Sequence, residues 1–280
     1  MRIDYTEIDT KNTTNEIMII NNNAKENILF IGSCRITPFL NYFYNDEFFG
    51  KKYNYLAVLA HKTQDLSKTI NTNEYIKSLI YNTKIVVAEY MIHFNYFNTS
   101  RDSELNIFQI YDNFDLFISL PNYPNVLLYT EDIIYYNEHC RNNYKLYLND
   151  TLSLIDFSKI VIDFRDSEIN RYCKVINKTL FNELSIFVLN NYKHIRLANS
   201  LNHPTNILFI EMYRLILHTY FNRTIPESVL NMNKDTFLGG EPEQQKLTYY
   251  DKLCLEYTID ENYITKEESD KYIAKFFLRN

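Results

Sequence analysis

Short apolar runs alternate along the chain with longer segments whose apolar residues recur at helical spacing. The runs are ILFIG (28–32), YLAVLA (55–60), KIVVAEY (84–90), NVLLYT (125–130) and HIRLA (194–198). Their almost continuous apolar content predicts strands that are buried on both faces, as in a parallel sheet covered by helices on each side. The alternation therefore predicts an α/β fold with a doubly wound, mainly parallel five-stranded sheet.

Helical spacing occurs between these runs and again toward the C-terminus. It covers 65–81 and 104–117 and most of 133–191, although KIVIDF (159–164) also fits a strand. After residue 222 the pattern changes to short helices separated by proline and glycine. These changes predict three parts: an N-terminal arm or hairpin, an α/β catalytic domain and a C-terminal helical extension, covering 1–23, 24–224 and 225–280.

The last predicted helix begins at Thr265, where Glu268 has the spacing of a capping box. Four apolar side chains lie on one face of this helix: Tyr272, Ile273, Phe276 and Phe277. Such a face needs a partner, either the main domain or a second copy of the chain. A homo-oligomer formed through the C-terminal helices is therefore one expectation.

Composition narrows the function classes. The chain has 280 residues, 46% of them hydrophobic, and a net charge of −6, so a surface that neutralises nucleic-acid phosphates is not expected. The polar start does not resemble a signal peptide, and no apolar run has the length of a membrane span. The four cysteines are far apart in sequence, which indicates neither a metal site nor a disulfide scaffold. We therefore expect a cytoplasmic protein with no metal.

The first apolar run leads into Gly32, Ser33, Cys34 and Arg35. In an open parallel sheet, the segment after a strand lies at the carboxyl edge, where such sheets bind ligands. Gly32 would allow a tight turn and leave room for a substrate. Backbone N–H groups in this turn could receive an oxyanion, which makes the turn a candidate catalytic site.

Pro38 indicates where the next helix begins. Because proline is tolerated only in the first turn of a helix, we expect the helix to begin between Arg35 and Thr37. Cys34 then lies at a helix N-terminus, where the helix dipole and the charge of Arg35 favour a thiolate. Cys34 is therefore a candidate nucleophile, the alternative being a small buried side chain.

His203 follows the last predicted strand and precedes a strongly apolar helical segment. A histidine at the carboxyl edge of that strand is expected to face the turn that contains Cys34. An imidazole paired with a thiol is suited to acyl transfer, because it can remove a proton during attack and return it to the leaving group.

A strand ending in Gly32-Ser33-Cys34-Arg35, with a late His203-Pro204 before a helix, resembles the WcbI-type acetyltransferases of polysaccharide biosynthesis. Their first strand ends in G-N-C-Q, so Gly32 and Cys34 match while Ser33 and Arg35 differ. These enzymes resemble SGNH hydrolases, whose G-D-S-L turn aligns its serine with Cys34. The resemblance covers about residues 27–220.

Two further SGNH blocks match only in part. The final D-x-x-H block aligns its histidine with His203, but Ser200 stands at the acidic position. No G-x-N-D block follows the third predicted strand. The nearest polar residues there are Glu89, His93, Asn95 and Asn98. Asn95 is the candidate that would contact the oxyanion or the substrate.

The resemblance implies an SGNH-like, flavodoxin-like fold. It also implies transfer of an acetyl group from acetyl-CoA to a hydroxyl or amine of a sugar or sugar nucleotide during glycan biosynthesis. Cys34, His203 and Ser33 are the catalytic candidates, and Gly32 and Asn95 would contact the oxyanion or substrate.

Cations are expected along the path of CoA because it carries phosphates, and Arg35 and Arg196 are the candidates. Cys34 could carry the acetyl group while His203 deprotonates the acceptor, or His203 could act directly as the general base. The alternatives in other classes are an SGNH-type carbohydrate esterase or deacetylase and a non-catalytic interaction module.

Overall fold

The computed structural model describes residues 17–59, 73–89, 114–120, 128–176, 182–200, 203–232, 246–257 and 263–277. The chain divides into two compact units. The first comprises Met1–Asn122 and Phe209–Leu238, and the second comprises Tyr123–Leu208 and Gly239–Asn280. The division into an arm, a catalytic domain and a C-terminal extension stays a prediction.

Among the described residues, most strands lie in the first half of the chain and most helices lie in the second. The strands are β1 (Ile17–Ile20), β2 (Glu26–Gly32), β3 (Tyr53–Leu59), β4 (Thr83–Glu89), β5 (Leu116–Leu120), β6 (Ala198–Ser200) and β7 (His203–Pro204). The α-helices are α1 (Thr37–Asn45), α2 (Glu74–Tyr81), α3 (Thr130–Tyr136), α4 (Glu138–Leu148), α5 (Leu154–Ile176), α6 (Asn182–Asn191), α7 (Asn206–Phe221), α8 (Glu227–Leu230), α9 (Tyr249–Lys252) and α10 (Lys266–Phe277). None of the helices in the described stretches combines the length and apolar character needed to cross a bilayer.

Within the described part of the first unit, β1 to β5 form one five-stranded sheet. The spatial order is β1-β3-β2-β4-β5, in which β1 runs antiparallel to β3 and the other neighbours are parallel. The prediction of an α/β fold with a mainly parallel five-stranded sheet is confirmed. Strand β2, which leads into the candidate turn, lies in the middle of this sheet.

Helices cover both faces of the sheet, which explains why its strands are apolar at successive positions. Leu29 and Ile31 of β2 belong to one buried cluster with Ile76 of α2. Phe30 points to the opposite face because side chains alternate along a strand. Its ring centroid lies 5.4 Å from that of Phe43 in α1. The sheet is therefore doubly wound, as predicted.

Helix α7 supplies further cover for α1. The ring of Phe209 lies 5.6 Å from Phe39, and the ring of Tyr213 lies 5.2 Å from Phe43. The Tyr213 hydroxyl also donates a hydrogen bond to Asp46 Oδ2 at 2.8 Å. A buried aromatic cluster therefore connects α7 to α1, although the two helices are distant in sequence.

Two strands of the sheet differ from the prediction. The sequence predicts an N-terminal arm or hairpin at 1–23, but the buried run IMII of Ile17–Ile20 pairs with β3 in the main sheet. Strand β5 lies at the end of 104–117, which was predicted to be helical; residues 104–113 are outside the described part. Both are short runs, in which strand and helical patterns are hard to distinguish.

The strand predicted at 125–130 is wrong where the structure describes it. Residues 128 and 129 precede α3, which begins at Thr130, and residues 125–127 lie outside the described part. Glu131 and Asp132 follow in the first turn of this helix, where carboxylates complement the helix dipole.

The strand predicted at 194–198 is also wrong. His194 and Ile195 form a turn after α6, with both N–H groups donating to Asn191 O at 2.9 and 2.8 Å. Of this run only Ala198 enters a strand, and that strand pairs with β7 outside the main sheet. The apolar run is too short to specify a strand by itself.

The helical region of the second unit agrees with the prediction for 133–191. KIVIDF lies inside α5, and Phe157 and Val161, one helical turn apart, are both buried there. Their cluster includes Tyr144 from α4 and Tyr250 from α9. The ambiguous segment is therefore helical, with its apolar face in the core.

Helix α10 begins as the sequence predicts. Glu268 Oε2 accepts hydrogen bonds from the Thr265 N–H and hydroxyl, both at 2.9 Å, and the Glu268 N–H donates to Thr265 Oγ1 at 3.2 Å. These contacts form the predicted capping box. Ile273 of this helix is 1% exposed and packs in the same cluster as Tyr144 and Tyr250. Assembly into a homo-oligomer through these helices stays a prediction.

A buried ion pair lies in the second unit. Arg165 of α5 and Asp251 of α9 have side chains that are 1% and 0% exposed, and Arg165 Nη2 lies 3.0 Å from Asp251 Oδ1. Asp251 also accepts hydrogen bonds from the N–H and hydroxyl groups of Thr130 and Thr248. The charge of Asp251 is thus matched by one cation and several donors.

Candidate functional site

The candidate site is the turn that follows β2. Gly32 ends the strand, Ser33 caps a 3-10 turn formed by Cys34–Ile36, and α1 begins directly afterwards. The N–H of Arg35 donates to Ser33 Oγ at 3.3 Å, and Pro38 lies in the first turn of α1. The predicted start of the helix is confirmed, and Cys34 lies at its N-terminal side.

Glu89, the last residue of β4, contacts this turn. Its side chain is 2% exposed, and Oε2 accepts hydrogen bonds from the Ser33 N–H at 2.9 Å and from the Ser33 hydroxyl at 2.7 Å. Its Oε1 atom lies 2.6 Å from Arg35 Nη2 in an ion pair. Arg35 Nε also donates to Ser33 Oγ at 3.0 Å. Glu89, Ser33 and Arg35 therefore form one polar cluster.

Gly32 allows Glu89 to approach the turn closely. A Cβ atom at position 32 would lie 2.8 Å from Glu89 Cβ and 3.0 Å from Glu89 Oε2. The first distance is shorter than carbon atoms of neighbouring side chains tolerate, and neither Cβ can swing away. The glycine is therefore required by the position of Glu89, and its contribution to an oxyanion or substrate site stays a prediction.

Gly32→Ala is expected to lower the free energy of unfolding of the first unit by about 1 to 3 kcal/mol, because the methyl group forces β2 and β4 apart. Denaturant unfolding followed by circular dichroism measures this change. Glu89→Gly removes the clash, so Gly32→Ala should cost much less in that background. An equal cost in both backgrounds would show that Glu89 is not the source.

The surroundings of Ser33 and Cys34 distinguish the two candidate nucleophiles. The Ser33 hydroxyl donates to Glu89 and accepts from two N–H groups of Arg35, and the residue is 8% exposed. Its hydrogen-bonding capacity is used, so it is held in place rather than poised to attack. Cys34 is a partly exposed thiol. The arrangement favours Cys34 over Ser33 as the nucleophile.

Burial raises the pKa values of the other three thiols, all of which lie in the described chain. Cys140 and Cys173 are buried, and burial raises the pKa of each to about 11. Burial also raises the pKa of Cys254, an effect that the nearby Arg165 opposes. Since the thiolate is the attacking form, these three cysteines stay largely protonated at neutral pH.

His203 belongs to the second unit, whereas Cys34 belongs to the first. It begins β7 and pairs with Ser200 across a short antiparallel hairpin. The prediction that His203 follows the last strand of the main sheet is wrong, because residues 194–197 form no strand. The pairing of its imidazole with the Cys34 thiol stays a prediction.

Arg196 supports the hairpin that carries His203. Its guanidinium carbon lies 5.4 Å from the centroid of the Tyr129 ring, and its Nε donates to Ala198 O at 3.3 Å. The Tyr129 hydroxyl donates to the same carbonyl. Arg196 is 8% exposed. Binding of CoA phosphates by Arg196 stays a prediction, and Asn95 lies outside the described residues.

Glu89 is the residue of this cluster whose role the sequence does not reveal. In the sequence it is only one of several polar residues near the end of the third apolar run. The available signal is its position: a carboxylate at the end of a strand with both faces covered needs a partner. The partner cannot be identified from the pattern, because Ser33 is 56 residues away.

One comparison with known proteins gives a match. A solved structure of WcbI, described as a polysaccharide biosynthesis enzyme, matches with a TM-score of 0.59 and 11% sequence identity, covering 91% of each chain. The chain has the fold of WcbI. That structure is described as the native protein without a disulfide bond between CoA and one of its cysteines. No protein-family model and no curated protein matches the sequence.

Proposed function

We propose that this protein is a CoA-dependent acetyltransferase that modifies a hydroxyl or amine of a sugar or sugar nucleotide in glycan biosynthesis. The observation that carries the proposal is the position of Cys34, a partly exposed thiol at the helix N-terminus after the central strand. The likeness to WcbI supports it, because that polysaccharide biosynthesis enzyme is described in terms of CoA and a cysteine.

The residues of the turn fit the acyl end of acetyl-CoA. A thioester exchange needs a nucleophile beside its carbonyl, and Cys34 supplies a partly exposed thiol at the start of the 3-10 turn that leads into α1. The Cys34 sulfur attacks the acetyl carbonyl, a new thioester forms on Cys34, and the thiol of the donor leaves with the proton. Acetyl-CoA, when bound, supplies the activated acetyl group.

In this proposal His203 acts as the general base for the second step. Its imidazole takes the proton from the acceptor hydroxyl or amine as that group attacks the acetyl thioester of Cys34. Ser33 holds the turn, and Gly32 gives Glu89 the room to reach it. The SGNH-like assignment, the cytoplasmic location and the contribution of Asn95 to the oxyanion site stay predictions.

A binding and turnover experiment tests the proposal. Millimolar CoA should raise the melting temperature of the protein, because a ligand that binds only the folded state stabilises it. Acetyl-CoA mixed with a panel of sugars and sugar nucleotides should then release more than one equivalent of CoA per protein only when an acceptor is present. Mass spectrometry of the acceptor identifies the acetylated product.

Other results would replace the proposal. Release of acetate from an acetylated sugar without CoA would indicate an esterase or deacetylase. Absence of both a thermal shift and turnover would favour a non-catalytic interaction module on the same fold. Adenosine triphosphate is the matched control ligand, since a shift of equal size would indicate nucleotide binding rather than recognition of CoA.

A further inference from the structure

The contacts of Glu89 determine the charge of the candidate turn. The carboxylate is 2% exposed and Arg35 is 12% exposed, so water screens the pair only weakly. Glu89 Oε1 is 2.6 Å from Arg35 Nη2, while Oε2 accepts both hydrogen bonds from Ser33. The positive charge that was expected to attract a phosphate is therefore already balanced within the turn.

A phosphate bound at this turn would bring new negative charge close to a buried carboxylate. If it paired with Arg35, it would have to share this one cation with Glu89, a buried carboxylate that already balances the charge. An acyl carbonyl adds no net charge, so it can lie beside Cys34 while the ion pair stays intact, although the N–H groups of Ser33, Arg35 and Ile36 already have acceptors within the turn. The charge balance of the cluster therefore favours the acyl end of a CoA thioester at this turn over the end that carries the phosphates.

Rigid elements hold this arrangement. Glu89 ends β4, which pairs with β2 along its length, and Gly32 lets the two chains approach at this point. Ser33 donates two hydrogen bonds to Glu89 and accepts two from Arg35, so movement of either partner would break them. A carboxylate fixed in this way can orient the residues that flank Cys34 without touching the substrate itself.

We propose that Glu89 is a positioning residue that fixes Ser33 and Arg35 on either side of Cys34, so that the turn receives the neutral acyl group of the donor and not its phosphates. This inference rests on the proposed function for the identity of the donor. Arg35 is accordingly a positioning residue, and the phosphates are bound elsewhere.

Two alkylating reagents test this role without requiring enzymatic activity. Iodoacetamide is neutral and iodoacetate is anionic, and both transfer a carbon to the thiolate as iodide leaves. The ratio of their rates at Cys34 therefore reports the local electrostatic potential, because the fraction of thiolate cancels. Peptide mass spectrometry separates Cys34 from the buried cysteines.

In Glu89→Gln, the ratio of iodoacetate to iodoacetamide rates should rise about fivefold, since the charge of Arg35 is no longer balanced. In Arg35→Gln it should fall, and the double variant should return to the wild-type ratio. Glu74→Gln is the matched control, because Glu74 pairs with Lys77 on the exposed face of α2. An unchanged ratio in Glu89→Gln would overturn the proposal.

A second measurement uses the wild-type protein and so does not depend on the folding of a variant. Millimolar inorganic pyrophosphate should leave the iodoacetamide rate at Cys34 unchanged, and protection of Cys34 by pyrophosphate would overturn the proposal. If the ratio of the two alkylation rates changes as expected in the variants but CoA neither binds nor reacts, the proposed function fails and the role of Glu89 in the turn stands. If CoA reacts but the ratios do not change, only the role of Glu89 fails.

Discussion

Cys34→Ala is expected to lower the rate of acetyl transfer from acetyl-CoA at least about a thousandfold, because the variant has no thiol to accept the acetyl group. Cys34→Ser should lose nearly as much activity, since a hydroxyl is almost fully protonated at neutral pH. Release of CoA, followed with a thiol reagent after protein removal, measures both rates. Wild-type protein mixed with acetyl-CoA alone should carry one acetyl group on the Cys34 peptide.

Cys254→Ala is the matched control for this experiment. Cys254 is also partly exposed, but it packs against the aromatic core of the second unit. Its removal should leave the transfer rate unchanged. If Cys34→Ala keeps the wild-type kcat, the acetyl group does not pass through Cys34. Direct transfer, with His203 as the general base, would then be the mechanism.

Asp251→Ala is expected to lower the free energy of unfolding of the second unit by about 3 to 5 kcal/mol. Its side chain is fully buried and pairs with Arg165, which is 1% exposed. Removing the carboxylate leaves a buried guanidinium without its anion and removes the acceptor for Thr130 and Thr248. Denaturant unfolding followed by circular dichroism measures the change.

Two variants show whether the buried charge is the cause. Adding Arg165→Met to Asp251→Ala removes the uncompensated cation, so the double variant should be more stable than Asp251→Ala alone. Glu267→Ala breaks an exposed pair with Lys271 and should leave the unfolding midpoint where it is. A double variant that is less stable than Asp251→Ala would argue against uncompensated burial of Arg165.

The parallel sheet could be predicted because the apolar pattern of each strand is recognisable without knowledge of the rest of the chain. Residues 28–32 and 85–88 are apolar at successive positions, and this happens when both faces are covered. The capping box at Thr265 could likewise be predicted, because the partner Glu268 is three residues away. Local patterns of this kind are present in the sequence before any tertiary contact forms.

The remaining features depend on distant partners. The run HIRLA has strand-like residues, but His194 and Ile195 form a turn. Arg196 stacks on the ring of Tyr129 and donates a hydrogen bond to the carbonyl of Ala198. The turn at Cys34 could be located from Gly32 and Pro38, but its polar cluster needs Glu89 from another strand. A pattern in one segment carries no information about which distant side chain completes it.

The first unit is built from two separate stretches of the chain, and this affects how it can fold during synthesis. Its aromatic cluster needs Tyr213, which is translated 167 residues after its hydrogen-bond partner Asp46. Until α7 emerges from the ribosome, the nascent chain exposes the apolar side of α1, including Phe39 and Phe43, to chaperones. No contiguous fragment ending before α7 can complete this unit, so truncation after the sheet should give an aggregation-prone product.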